Sequence, residues 1–199
     1  MNIFHGLALA FMLLFYGCYG LKMLNQCSHG IKTDHMGEGK VGLTRGIEIS
    51  LKVVTFLVPV AELISIVMNT CLLPTWMRWA GMCIGAVGVA VFIIAVMTMR
   101  DSWRAGVSKE EKAELVTSGI FQISRNPAFL GFDLLYAGIL LMFFNVPLCI
   151  ITLLGGLLFH LQIVNVEEDF LLQEFGEDYV QYKKTVCRYF GKRFSRSAS

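Results

Sequence analysis

The chain has 199 residues, of which 55% are hydrophobic and only 16% charged, with a mean hydropathy of +0.61. Soluble domains carry about 25% charged residues, so the composition points away from a soluble globular protein and towards a membrane one. The formal net charge of +2 is too small for a nucleic-acid binder, and the length allows one membrane domain with short loops.

A spanning helix needs about 20 mostly apolar residues. Five stretches meet or approach this, at residues 3–21, 53–73, 79–99, 127–144 and 146–166. The first has no Lys or Arg ahead of it, and its only A-x-A triplet, Ala8 to Ala10, falls inside the apolar run. We therefore expect a mature helix there rather than a cleaved signal. Between the first and second stretches lies a polar segment from Asn25 to Gly46 carrying Gly30, Gly37, Gly39, Gly42 and Gly46. It reads as an irregular connector, or more sharply as a lid over a site. Leu73-Pro74-Thr75 turns the chain between the second and third stretches, and Asn145-Val146-Pro147 makes a hairpin of the last two.

Charge predicts the orientation. Of the 17 basic residues, only Arg78 falls on one side of a five-span arrangement; all the others fall in the loops and tail of the opposite side. The positive-inside rule makes that side cytosolic and the N-terminus external, with a cytosolic C-terminus. After the last stretch, Leu171, Phe175, Tyr179, Tyr182 and Val186 recur at helical spacing, which predicts an amphipathic helix over residues 167–188 that Gly176 bends. The basic run that follows suits anionic headgroups, or is ordinary cytosolic charge. The expected fold class is thus an all-α membrane protein of five transmembrane helices with a C-terminal cytosolic amphipathic helix. The six cysteines form no C-x-x-C pair and read as small hydrophobes, so neither a metal site nor a disulfide framework is expected.

Three features go beyond what a structural bundle needs. Ser124-Arg125-Asn126-Pro127 marks a helix start, with Asn as a good N-cap and Pro suited to the first helical position. A helix start favours an anion, and Arg125 adds a guanidinium beside it. Its plain reading is a capped helix with an interfacial arginine. Glu167-Glu168-Asp169 places three acids at the edge of the fifth stretch, which calls for cationic partners, either a ligand or nearby Lys and Arg. Because the last two stretches form a hairpin, the Arg125 and Glu168 features would face each other. An anion site beside a cation site suits a zwitterionic amino-acid group. Glu62 and Asp133 stand inside spans, where ionisable groups are costly and often functional. Structurally they would be a protonated acid bonded to a neighbouring helix and a partner of Lys52.

The segments Leu115-Val116-Thr117-Ser118-Gly119-Ile120-Phe121, Arg125-Asn126-Pro127-Ala128-Phe129-Leu130-Gly131, Glu167-Glu168 and Phe175-Gly176-Glu177-Asp178-Tyr179-Val180-Gln181-Tyr182 resemble the isoprenylcysteine carboxyl methyltransferase and phospholipid methyltransferase superfamily. The resemblance covers roughly Trp103 to Arg188 and implies one membrane methyltransferase domain over residues 1–199. It implies S-adenosyl-L-methionine as methyl donor and a lipid-like methyl acceptor, of the isoprenylcysteine carboxylate or phospholipid amine type. On the same basis Arg125, Asn126, Pro127, Glu167 and Glu168 would hold the amino-acid end of the donor. Leu115, Val116, Gly119, Ile120 and Phe121 would line its adenosine side, and Phe129 and Gly131 would let it approach the fourth span. The catalytic role falls to Arg125 and Glu168, while Glu62 and Asp133 are candidates for the acceptor head group. Asn126 replaces the commoner histidine, and Ala128-Phe129 replaces the frequent Met-Tyr, so both a histidine and a tyrosine hydroxyl are missing. Competing readings are an NADPH-dependent sterol-type membrane reductase and a small transporter or structural membrane subunit.

Overall fold

The computed structural model describes residues 2–29, 36–37, 40–103 and 115–192. The Gly-rich connector lies partly outside these residues and the Ser-rich tail, 195–199, wholly so. Among the described residues the chain is helical, with a single isolated bridge between Val186 and Lys192 and no strand. Six α-helices follow in order: α1 (Ile3–Ser28), α2 (Gly42–Met68), α3 (Thr75–Met99), α4 (Pro127–Met142), α5 (Val146–Gln162) and α6 (Glu168–Thr185). A π-helical turn, Ile163–Glu167, joins α5 to α6 without a break. Four helical runs are long and apolar enough to cross a membrane: α1, α2, α3 and the joined run Val146–Thr185. The helix α4 is equally apolar but has 16 residues. At 1.5 Å per residue it is about 24 Å long, somewhat under the thickness of a hydrocarbon core.

Three helices reach further than hydropathy suggested, α3 by starting at Thr75 rather than 79. The first does not stop near residue 21 but runs to Ser28, because its last turns are held by tertiary contacts: Gln26 is fully buried and its amide donates to the Trp103 carbonyl at 2.9 Å. The second starts at Gly42 rather than 53, since Ile47, Leu51 and Val54 continue one buried stripe below the apolar stretch. It also ends earlier, at Met68, where Asn69 takes a left-handed conformation (φ 50°).

The pairs α3–α4 and α2–α5 are the main helix contacts. The first is a backbone-to-backbone seam. A Cβ added to Gly88 would stand 2.5 Å from the Leu135 nitrogen, and one on Gly138 would stand 2.5 Å from the Gly85 nitrogen. Only glycine permits that approach, a common way for membrane helices to gain packing without a hydrophobic driving force. Around the seam, Phe15, Phe92, Phe132, Tyr136 and Phe159 form an aromatic core, with Phe15 and Phe92 stacked at 4.0 Å.

The bundle has two distinct ends. At one, Asn145 caps α5 by accepting from the Leu148 N–H (3.0 Å) and donates to Ser65 Oγ at 2.8 Å, tying the α4–α5 hairpin to α2. At the other, α6 folds back on the segment before α4. Leu171, Phe175, Tyr179, Tyr182 and Val186 pack against Leu115, Val116, Ile120 and Phe121. The helix is interrupted at Gly176 (φ 51°, ψ −120°), a conformation residues with a side chain rarely adopt.

Candidate functional site

The site is assembled where α4 begins. Pro127 occupies the first turn, as its fixed φ favours. Asn126 stands at the N-cap position, but its side chain makes no capping hydrogen bond. The sequence-based expectation of an Asn cap is thus corrected: the Asn126 amide is drawn away to donate to the Arg188 carbonyl at 3.1 Å. The turn after α6 is laced onto this start, with the Arg125 N–H donating to the Cys187 carbonyl (3.1 Å) and the Gly191 N–H to the Ile123 carbonyl (2.8 Å). Ser124, Arg125 and Asn126 are all buried by it.

Arg125 is satisfied from two elements at once. Its Nη2 lies 3.1 Å from Glu168 Oε1, and its Nη1 donates to the Tyr179 hydroxyl at 2.8 Å. Its Nε is buried with no partner. Glu168, the first residue of α6, also accepts from Lys183 (2.9 Å) and from Arg188 Nε (2.7 Å). Burial would raise the Glu168 carboxyl, but hydrogen bonds from Arg188 and Lys183 and the charges of Arg125 and Arg188 outweigh it and hold it at about 2. Three cations surround one carboxylate, so this half of the site carries excess positive charge.

Glu167 faces the other way. Its Oε1 accepts from Gln162 Nε2 at 3.2 Å, and the same amide nitrogen donates to Glu48 Oε1 at 3.3 Å. Glu48, on α2, is fully buried, pairs with the Lys40 ammonium and accepts from the Gly37 N–H at 2.6 Å. The two adjacent acids of the sequence therefore meet different environments, Glu168 a cationic cluster and Glu167 a neutral amide. Consecutive residues of a helix point about 100° apart, and the π turn at Ile163–Glu167 sets which way each acid faces; such turns recur at functional sites.

The other expected site residues are distributed as follows. Leu115, Val116, Ile120 and Phe121 lie together beneath α6, with the Tyr182 hydroxyl donating to the Phe121 carbonyl at 2.6 Å. Gly119 has φ +60° and abuts Thr98 of α3. Phe129, in the first turn of α4, packs edge-on to Phe159 at 5.5 Å. Gly131 faces α3, where a Cβ would meet Phe92 at 2.7 Å. Asp133 lies on the α4–α5 seam, its Oδ1 3.6 Å from a Cβ built on Gly156. Glu62 is not brought to the site. It is fully buried with both carboxylate oxygens unpartnered. Fourteen residues separate it from Glu48 on the same helix, about 21 Å. Sequence reading missed Tyr179, Lys183, Arg188, Gln162 and Glu48. Tyr179 was visible as part of an apolar stripe and of the family-like segment Phe175 to Tyr182, with no partner assigned, and Lys183 and Arg188 only as cytosolic charge.

Four long apolar helical runs make this an integral, multi-pass membrane protein, with a charged site built at one end of the bundle. Residues 76–178, just over half of the chain, match the phospholipid methyltransferase family, and the chain belongs to it. That family is one of methyltransferase enzymes. The chain is similar to a protein-S-isoprenylcysteine O-methyltransferase from Dictyostelium discoideum, 32% identical over 111 residues, covering 54% of this chain and 46% of the relative. A protein of the same name from Xenopus laevis is 30% identical over 115 residues, with 56% and 40% covered, and one from Tribolium castaneum 28% over 114 residues, again with 56% and 40% covered. In these alignments the chain spans less than half of each relative's length. The family match covers both Arg125, just before α4, and Glu168 on α6; it starts within α3 and leaves out α1 and α2.

Proposed function

We propose that this protein is an S-adenosyl-L-methionine-dependent methyltransferase acting on a lipid-like acceptor at the cytosolic face of a membrane. In this reading all five apolar helices α1–α5 span the membrane as one domain, with the N-terminus outside and α6 on the cytosolic side. The arrangement of charge supports that orientation: Lys40, Arg125, Lys183 and Arg188 gather at one end of the bundle and Arg78 stands at the other. Five spans require α4 to cross with a slightly short helix, which local thinning or the flanking turns accommodate.

The observation that carries the reading is the buried Arg125–Glu168 pair at the helix start, with Glu167 turned to a separate environment beside it. The residues present fit the donor. Arg125 has an unpartnered buried Nε, and the cluster of Arg125, Lys183 and Arg188 exceeds the charge of Glu168, so a carboxylate is welcome there. Burial pushes the Glu167 carboxyl up to about 7, opposed by the Gln162 amide and the Lys40 charge and assisted by that of Glu48, so an arriving ammonium would hold it ionised. The hydrophobic group of Leu115, Val116, Ile120 and Phe121 suits an adenosine. When bound, the donor supplies an electrophilic methyl on a sulfonium. The protein's part is alignment and exclusion of water, and in-line methyl transfer gains much from alignment alone. Phe129 and Phe121 offer ring faces to a sulfonium cation. A carboxylate acceptor needs no base, whereas an amine must first lose a proton, for which Asp133 is the nearest acid on α4.

Thermal unfolding of the detergent-purified protein, with S-adenosylhomocysteine and with NADPH, tests the reading. A shift with the first alone is expected. A shift with NADPH alone selects a sterol-type reductase, and no shift with either selects a transport or structural role. Methyl transfer from labelled donor to acceptors of one head group and increasing chain length then reports the acceptor. Each buried methylene is worth about 0.8 kcal/mol, so activity at low substrate rises with length until the pocket fills. A flat response rejects a lipid-like acceptor.

A further inference from the structure

Glu48 and Gln162 play no part in the donor contacts described so far, yet both are fully buried beside them. Glu48 belongs to α2, outside the family-matched stretch 76–178. A buried carboxylate is costly unless its oxygens are met. Here they are met by three groups: the Lys40 ammonium, the Gly37 N–H and the Gln162 amide. Gln162 is the last residue of α5, and its amide nitrogen is shared between Glu48 and Glu167 at 3.3 and 3.2 Å. An amide nitrogen has two protons, so one serves each carboxylate. In an α-helix, residues five apart do not share a face. The π turn immediately after Gln162, with its i→i+5 repeat, is what puts Gln162 and Glu167 on the same side.

We propose that Glu48 and Gln162 are positioning residues that hold the Glu167 carboxylate towards the ammonium of the methyl donor. This rests on the donor reading above and deepens it. Glu167 is fixed by the Gln162 amide, which Glu48 on α2 holds in turn. Lys40 and Gly37 tether the end of the connector between α1 and α2 to the same carboxylate, so the N-terminal half of the chain completes a site whose motifs all lie in the C-terminal half. Without Glu48, the Gln162 amide has no reason to stay between two acids, and Glu167 is free to swing.

The test uses the full chain in detergent and two ligands. S-adenosylhomocysteine carries the amino-acid end; 5′-methylthioadenosine has the same adenosine and thioether but lacks it. Binding of both is measured by calorimetry for the wild type, Glu48→Gln, Gln162→Met, Glu167→Gln and the Glu48→Gln/Glu167→Gln double variant. The expected result is a loss of S-adenosylhomocysteine affinity of about tenfold or more in each single variant, on the scale of one hydrogen bond to a charged group. In the double variant the loss equals that of Glu167→Gln alone, since Glu48 acts through Glu167. Affinity for 5′-methylthioadenosine stays unchanged throughout. A residue that only supports the fold would lower the unfolding temperature and weaken both ligands together. Unchanged S-adenosylhomocysteine affinity in Glu48→Gln, additive losses in the double variant, or equal weakening of both ligands each overturns the proposal. Failure of the wild type to bind S-adenosylhomocysteine overturns the donor reading itself, and this proposal with it.

Discussion

Two arginines stand at opposite ends of the bundle, each with a buried Nε that finds no partner, and they are accommodated in opposite ways. Arg78, near the start of α3, lies over the rings of Phe4 at 4.4 Å and Phe143 at 5.0 Å, and donates to Asn69 Oδ1 at 3.3 Å. Among the described residues it makes no ion pair. Arg125 is set against a carboxylate and a phenol, and that carboxylate draws in two more cations. An arginine at a membrane interface can be quieted by ring faces alone and then serves as an anchor. Surrounding a carboxylate with more positive charge than it carries does something else: it leaves a site that still attracts an anion. The difference separates anchorage from machinery more clearly than burial does, since both guanidinium groups have a buried nitrogen.

Removing the shared counter-charge should disturb the Arg125 end most. Glu168→Gln leaves Arg125, Lys183 and Arg188 facing one another with no carboxylate between them. Breaking a buried pair costs about 3–5 kcal/mol, so a clear fall in unfolding temperature is expected; the three cations also lose the carboxylate that holds them in place and repel one another, so S-adenosylhomocysteine should bind at least tenfold more weakly despite the added positive charge. Should that variant fail to fold, Arg125→Lys keeps the charge but loses the forked geometry, and the same weakening in calorimetry is expected.

Acid neutralises the same carboxylate without a substitution. The Glu168 carboxyl is held at about 2, below its ordinary value of 4.5. A depressed carboxyl contributes stability that is complete above the unfolded value and is lost as pH falls through the folded one. Unfolding temperature should therefore decline between about pH 4.5 and pH 2, and this part of the decline should be missing in Glu168→Gln. A variant that loses stability over the same window as the wild type would show that another acid is responsible.

The smallest effect is expected at the other end. Arg78→Leu removes ring contacts worth about 0.5–1 kcal/mol and one hydrogen bond, so a modest fall in unfolding temperature is expected with no change in S-adenosylhomocysteine affinity. A change in affinity there would mean that the two ends are coupled, and the contrast drawn between them would fail.

Much of the architecture was legible because the relevant quantity is local. Apolar length marked the spans, with errors where polar residues such as Gln26 and Glu48 extend a helix beyond its apolar part through contacts with distant segments, and where α2 stops early as Asn69 turns left-handed. Asn126-Pro127 marked the start of α4, and the Asn145 hairpin told that Arg125 and Glu168 would come to the same end. The Asn126 side chain misled, because an Asn at a helix start prefers to cap only when nothing else claims its amide, and here the Arg188 carbonyl does. The glycines of α3 and α4 carried a seam that hydropathy counts as neutral residues.

By itself the sequence determined the class of protein, the approximate spans, the side on which charge collects and the motif residues around Arg125 and Glu168, since composition, periodicity and residue order are properties of the chain taken locally. Only the tertiary structure decided which partners those residues meet. That Glu168 takes three cations while its neighbour Glu167 takes one amide depends on a π turn and on where Arg188 returns to α4. That Glu62 lies far from Glu48 while Glu48 reaches the site depends on depth along α2. Hydrogen bonds and ion pairs across 15 to 114 residues of chain are set by how helices pack, and no local pattern encodes them.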